Sequence, residues 1–588
     1  MVVVEDLHWA DPSTLELVGA LLGAIDEARI LLIVTRRPSS RLPFEPQSHV
    51  SHLSLGPCTT GEAEELIAHV THATLAPEVA RAIVERGDGI PLFIEELARA
   101  AAAGGAEIPA TLEDSLLARL DALGPAAKAV AQLGALIGRE FAGDVLAAAS
   151  DLPDGALDSG IEQLLAAELL RRRSRILPVR YAFRHALLQE GVSHSMAGDA
   201  RRSLHRRIAR ALERAAPEVA RTEPDSVAWH LEQAGEPGSA VSYRFEAGRL
   251  ALSRSANVEA VDQLTRAIAD LEGFADHDSR ADLELDLRIA LGNALISVRG
   301  YASPDVEDCY VRARELCSRS GDDARLLPVL YGLWVNAFVR ARHERVLELG
   351  LELRGLAERR DPEVLIVAER AVGWPLVCMG RFAEARVHLD RIPALHQATE
   401  QRPLRFLYGQ DPAVAGLATG AWALWGCGED EAADARAEEA IVLARAIDHP
   451  LTITYALGAG ALLAALRRDA RAARVRAVEA IAVTEEFGLP LWRAWSLYAL
   501  GSAELEDGDP IRAAATLRAG LAGARETGAA LFEPLALTAL AEAEAAAGRV
   551  DEALRCLHAA DAAARRSGEV FWDSRTRRTR DELLSRSP

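Results

Sequence analysis

Between Gly300 and Gly568 the sequence is organised in steps of 40 residues. Gly428, Gly508 and Gly548 lie at multiples of 40, with Arg468 in the slot between them. Gly488, Gly528 and Gly568 keep the same interval, as do Trp492, Phe532 and Trp572, and Ala433, Ala473, Ala513 and Ala553. Gly380 and Gly300 extend the register upstream, with one eight-residue insertion between 380 and 428. A fixed period of this length, carried by turn glycines and small alanines, means stacked two-helix units, each burying its apolar face only against its neighbours. From about residue 216 the chain is therefore expected to be an α-solenoid of tetratricopeptide type with slightly long repeats. Asp573–Pro588, with Arg575, Arg577, Arg578 and Arg580, reads as a polar capping helix. Such a stack presents a concave face suited to a protein or small-molecule ligand, and self-association is also open to it. The aromatic slot has two readings: it lines that groove, or it packs at the helix ends, which is the more usual use.

Charge narrows the partners. The 588 residues carry a net charge of −21, which argues against a general nucleic-acid or membrane-surface binder. The six cysteines show no metal-ligand spacing and read as free thiols of a reducing compartment. Acids arrive at position 5, where a signal peptide has none, and the longest uncharged apolar stretch, Leu451–Leu466, is too short to span a bilayer. The expectation is a cytoplasmic protein without a membrane partner.

The N-terminal end has a different grammar. Val2–Val4 run straight into Glu5 and Asp6, the pattern of a buried parallel strand with two acids at its C-terminal end. Two such acids can hold Mg²⁺ and orient a water; an ordinary strand and loop would look the same. Asp11-Pro12-Ser13-Thr14 then opens a helix, with Asp11 as N-cap and Leu15, Val18, Leu22 and Ile25 on one face. Ile30–Thr35 reads as a second strand, followed by Arg36 and Arg37, and His49–Leu55 as a third.

The wording EDLHWADPSTLEL…LLIVTRRP resembles the predicted ATPases of the STAND class, signalling proteins related to MalT-type regulators and to ATPase regions beside class III adenylate cyclase domains. The resemblance places Glu5 and Asp6 on the Walker B acids, as catalytic and Mg²⁺-holding groups. It places Thr35 and Arg36 on the sensor of the γ-phosphate. In Gly87-Asp-Gly89-Ile-Pro91-Leu-Phe93 it implies a helical lid whose Gly89 and Pro91 approach the adenine of ATP, although a plain helix joint has the same residues. In Tyr181-Ala-Phe183-Arg184-His185 it implies a histidine facing the nucleotide phosphates; a helix-starting histidine satisfied by a neighbour is the alternative. The Gly-rich loop with Lys-Ser/Thr that cradles phosphates is missing. The one lysine, Lys128, sits in a helical context.

The reading is a mainly α chain in four parts: residues 1–55, a partial α/β P-loop NTPase remnant; 56–108, a helical lid joined by the small-residue linker Ala101–Ala106; 109–215, a winged-helix-like module with a hairpin near Leu169–Phe183; and 216–588, the solenoid. Arg171, Arg172, Arg173 and Arg175 in the hairpin suit a DNA contact or, more simply, a solvated turn or ion-pair face, and DNA binding is not expected. His205 reads as a packing or ion-pair position. Functionally the chain is expected to be the regulatory and sensor portion of an ATP-dependent signal-transduction ATPase, not catalytic alone. The alternatives are part of an adenylate cyclase-type signalling protein, a non-enzymatic repeat scaffold, or a fragment of a MalT/LuxR-like transcription regulator.

Overall fold

A computed structural model describes residues 1–25, 28–37, 48–71, 75–102, 111–174, 179–274, 279–358, 362–397 and 410–586. Arg175 and most of the linker Ala101–Ala106 lie outside them. The chain divides into two compact units, Met1–Arg280 and Ala281–Pro588.

In the first unit, strand β1 (Val2–Val4) pairs in parallel with β2 (Leu32–Val34), Val3 opposite Ile33. Helix α1 (Pro12–Ala24) makes the crossover. It begins where the sequence places it: the Asp11 carboxylate accepts the Thr14 N–H at 2.8 Å, and Pro12 occupies the first turn. The expected third strand does not form. Residues 48–59 are turn and irregular backbone, with Leu53 and Leu55 almost fully exposed. A strand exists only through a ladder, and the two-stranded pair gives 49–55 no partner.

Three helices follow: α2 (Thr60–Thr71), α3 (Pro77–Gly87) and α4 (Pro91–Ala102). A reciprocal capping box starts α2. Glu62 accepts the Thr59 N–H at 2.8 Å, while Thr59 Oγ1 accepts the Glu62 N–H at 3.4 Å. After α5 (Leu112–Ala122) and α6 (Pro125–Ile137), strands β3 (Glu140–Ala142), β4 (Leu170–Arg172) and β5 (Arg180–Phe183) form an antiparallel sheet in the order β3-β5-β4. The expected hairpin is thus two of three strands. Phe141 packs on Tyr181 and Phe183, ring centres 6.0 and 5.8 Å away. Between the strands lie α7 (Gly143–Ala149) and α8 (Ala156–Ala166), and after them α9 (Ala186–His194) and α10 (Gly198–Ala215). One continuous apolar core runs from Ala63 through these elements to Ala240.

The second unit is built of helix pairs. Helices 412–426, 450–466, 490–506 and 533–546 alternate with 430–447, 470–487, 510–526 and 550–567. The first set is buried nearly all round; the second set has one exposed side. A helix apolar on every face must be interior, so the first set forms the inside of the stack. Ala433, Ala473, Ala513 and Ala553 are fully buried in one equivalent slot, where a larger side chain would hold the helices apart.

The turn glycines have a conformational reason. Gly380, Gly428, Gly508 and Gly548 all have positive φ, and Arg468 takes φ 61° in the same slot without glycine's freedom. The aromatic slot is core. Trp492, Phe532 and Trp572 are buried, and Phe532 touches Trp374, Trp422 and Trp495 at ring-centre distances of 6.0, 5.3 and 5.0 Å. The stack closes on itself. Ala530 donates its N–H to the Val339 carbonyl at 2.9 Å and Val570 to that of Cys378 at 3.2 Å. His343 meets Glu569, 226 positions away, at 3.2 Å. Among the described residues, no helix is long and apolar enough to cross a membrane.

Candidate functional site

Asp6 stands at the C-terminal end of β1 with left-handed backbone, φ 55°. Its N–H donates to Thr35 Oγ1 at 2.9 Å, and Leu7 N–H donates to the Thr35 carbonyl at 2.9 Å. The threonine at the end of β2 therefore fixes the turn that carries the acid. Aspartate tolerates left-handed backbone better than most residues, which makes this turn cheap for Asp6. Both Glu5 and Asp6 are exposed, as are Thr35 and Arg36. The Asp6 carboxylate has a partner that sequence reasoning missed: Arg139 Nη1 donates to Asp6 Oδ2 at 3.4 Å. Arg139 immediately precedes β3, and its carbonyl accepts the Phe183 N–H at 2.9 Å. Two residues on stands His185. Asp6 is thereby linked to the edge of the three-stranded module that carries His185.

A second polar group lies between the lid and that module. Glu96 of α4 is almost fully buried and pairs with Arg119 of α5, which also donates to the Ala167 carbonyl at 2.8 Å. His185 Nε2 lies 3.8 Å from the other Glu96 oxygen. Burial lowers the His185 pKa; the Glu96 charge pulls the other way and loses. Around this centre Glu168 binds Arg184 at 2.6 Å and Arg99 at 3.0 Å. His185 is thus a helix-starting residue facing a buried carboxylate. Glu96 was legible in the sequence only as one of two adjacent glutamates on a helix.

Gly89 and Pro91 mark the lid hinge. Gly89 has φ +66°, and a Cβ on it would sit 2.6 Å from Pro57 Cβ and 2.9 Å from the Cys58 carbonyl oxygen. The Cys58 N–H donates to the Gly89 carbonyl at 2.7 Å. No other residue combines that conformation with that approach. Pro91 starts α4. The structure thus brings Asp6, Thr35 and Arg139 into one group and Glu96, Arg119 and His185 into another, with Gly89 and Pro91 at the joint on which α4 is set.

Lys128, Arg172, Arg173 and His205 have structural partners. Lys128 pairs with Asp121 at 2.5 Å. Arg173 and Arg180 both face Glu140, at 3.7 and 3.0 Å, and Arg172 lies over the Tyr181 ring. His205 is fully buried and shares a hydrogen with His230, Nδ1 to Nδ1 2.9 Å.

The oxygen donors of Glu5 and Asp6, exposed at a strand end, suit a hard cation such as Mg²⁺. The sequence contains no lysine beside them to grip a phosphate.

No protein-family model matches the chain. An uncharacterized protein of Rhizobium meliloti (strain 1021) is 28% identical over 492 residues, covering 80% of this chain and 47% of that protein. The chain spans about half the length of this curated relative. Among solved structures, a STAND protein with a tetratricopeptide repeat sensor from Pyrococcus horikoshii aligns over 89% of this chain and 80% of its own, at 14% identity and TM-score 0.37. A Rap protein complexed with competence and sporulation factor aligns over 59% and 99%, at 13% identity and TM-score 0.37.

Proposed function

We propose that this chain is the sensor and switch portion of an ATP-dependent signalling ATPase of the STAND class. Residues Ala281–Pro588 receive a ligand or protein, and the acids at Glu5 and Asp6 belong to a nucleotide site whose phosphate grip comes from outside this sequence. The observation that carries the reading is the Asp6–Arg139 pair. It couples the strand-end acid, through Arg139 and the β3–β5 ladder, to the element holding His185. Mg²⁺ held at Glu5 and Asp6 would supply charge for nucleotide phosphates. This chain's residues do the rest: Thr35 holds the Asp6 turn, and Arg139 competes with the cation for the carboxylate. A cation held by Asp6 would compete with Arg139 for its carboxylate, while the Arg139 carbonyl would keep its bond to the Phe183 N–H.

Calorimetry of the purified chain with Mg²⁺ and ATP tests the proposal. The expected result is weak, Mg²⁺-dependent binding without turnover, removed by Asp6→Ala. No binding, or binding that Asp6→Ala leaves intact, refutes it. The reading then remaining is a repeat scaffold that binds a protein without nucleotide. A separate observation favours that reading: Val442, Val475, Val478 and Ile511 stand exposed along successive outer helices.

A further inference from the structure

The interior of residues 281–588 holds a cation that no carboxylate among the described residues answers. Arg370, on helix Pro362–Cys378, is 3% exposed. Its guanidinium lies 5.2 Å from the ring centre of Trp334 and 5.3 Å from that of Tyr455. Its N–H groups reach the Tyr331 and Tyr455 hydroxyls only at 3.5 Å, the outer limit of a hydrogen bond, and its Nε meets no acceptor among the described residues. The adjacent carboxylate is engaged elsewhere. Glu369, fully buried, takes His388 at 2.6 Å, Arg354 at 3.5 Å, and Arg391.

A second, independent observation points the same way. One turn further along that helix, Trp374 has an indole N–H without an acceptor among the described residues, and so has Trp495. Three other interior indoles are satisfied: Trp334 donates to the Ala371 carbonyl at 2.9 Å, Trp422 to that of Ala459 at 3.1 Å, and Trp572 to Glu569 at 3.2 Å. The unmet donors belong to one aromatic wall. Phe338 touches Trp334, Trp374 and Trp495, at ring-centre distances of 5.0, 5.9 and 6.4 Å. Trp492 joins Tyr455 to Trp495, at 5.2 and 4.8 Å.

A guanidinium cannot shed its proton, and burying it without a counter-charge is costly. An indole N–H only donates. Among the described residues the wall therefore lacks an acceptor, and a negative one. The flat fork of arginine suits the two oxygens of a carboxylate, and the surrounding rings suit an apolar body.

We propose that Arg370, with the indole N–H groups of Trp374 and Trp495, is the head-group site for a small organic carboxylate whose apolar part packs on this aromatic wall. The inference rests on the reading of the repeats as a sensor and names the chemical class that the sensor takes.

The test uses the full chain, calorimetry and tryptophan fluorescence. Sodium benzoate, phenylacetate and hexanoate are titrated against their uncharged amides and against chloride and phosphate at equal ionic strength. At least one of the carboxylates binds and changes the fluorescence, and its amide binds at least tenfold more weakly. R370M abolishes binding and melts no lower than the parent, because it removes an uncompensated buried charge. R370K, which keeps the charge and loses the fork, binds about tenfold more weakly. The proposal is overturned if none of the three carboxylates binds, if R370M binds equally well, if R370M melts well below the parent, or if only chloride and phosphate act. These outcomes are read on the repeats directly, so they stand whether or not Mg²⁺ and ATP bind at Asp6.

Discussion

The histidine pair inside the first unit makes a quantitative pH prediction. His205 on α10 and His230 on the helix Pro224–Gln233 are 0% and 2% exposed, and their Nδ1 atoms lie 2.9 Å apart. That spacing needs one ring to donate and the other to accept, so the accepting ring is neutral. Burial is the larger cause lowering each pKa, with the charge of Arg201 adding to it at His205 and that of His205 at His230. The values fall to about 4 for His205 and about 3 for His230. Protonating the accepting ring would set two N–H groups against each other, and a charge on the donating ring would be buried without a counter-charge.

The sign follows from proton counting. Below an ordinary histidine pKa of about 6.5 the unfolded chain binds two protons that the native pair refuses, so stability falls as pH drops from about 6.5 toward 4. At pH 5.5 each histidine contributes a loss of about 1.4 kcal/mol relative to pH 7.5, about 3 kcal/mol for the pair. This figure depends on the unfolded value and hardly on how far below 5 the native ones lie. Hydrogen-exchange mass spectrometry of peptides covering Gly198–Gln233, corrected for intrinsic rates, should show protection falling by about a hundredfold between pH 7.5 and 5.5. The variant H205Q/H230Q, which can keep a hydrogen bond without titrating, should lose most of that dependence. Protection constant within threefold, or the same fall in the double variant, would refute the reasoning.

Other substitutions test other joints. Glu569 accepts from His343, from the Phe532 N–H at 3.2 Å and from Trp572 Nε1; Glu569→Ala should cost roughly 3–5 kcal/mol in denaturant unfolding of the repeats, with Glu569→Gln milder. Arg139→Ala should change stability by less than about 1 kcal/mol, because the pair is half-exposed, while strengthening Mg²⁺ binding at Asp6 in calorimetry; unchanged affinity would remove the proposed competition. Gly89→Ala should destabilise by more than about 1 kcal/mol through strain and collision with residues 57–58. Arg468→Gly should stabilise by about 0.5–1 kcal/mol, since it relieves a positive φ at the loss of one ion pair with Glu506; a lower melting temperature would contradict that ledger.

The features legible in the sequence were the local and the periodic ones. Asp11 and Pro12 start α1 because capping acts within one turn. Val2–Val4 and Leu32–Val34 became a parallel pair, with Val2, Val3 and Ile33 exposed where a buried strand was expected. The alanine and glycine slots became helix crossings and positive-φ turns, because each is set by a residue's own geometry repeated every 40 positions. The strand expected at His49–Leu55 failed for a non-local reason, since no neighbouring edge receives it. The candidate site was legible as residue types. Arg139 and Arg119 were not, being ordinary arginines on elements distant in sequence from the acids they meet.

The sequence by itself determined the class of fold: a short acid-tipped α/β start followed by helices and a 40-residue repeat, because burial periodicity and turn chemistry are written residue by residue. Tertiary structure alone decided which surfaces meet. Glu96 became a buried centre between Arg119 and His185 only when α4, α5 and the start of α9 packed together. The solenoid's inner face became a closed aromatic core, with Arg370 held in it unanswered, only when residues near 340 and 380 met those near 530 and 570. Helix pairs encode their own stacking, whereas closure depends on the small rotation between repeats summed along the chain, and no single repeat carries that sum.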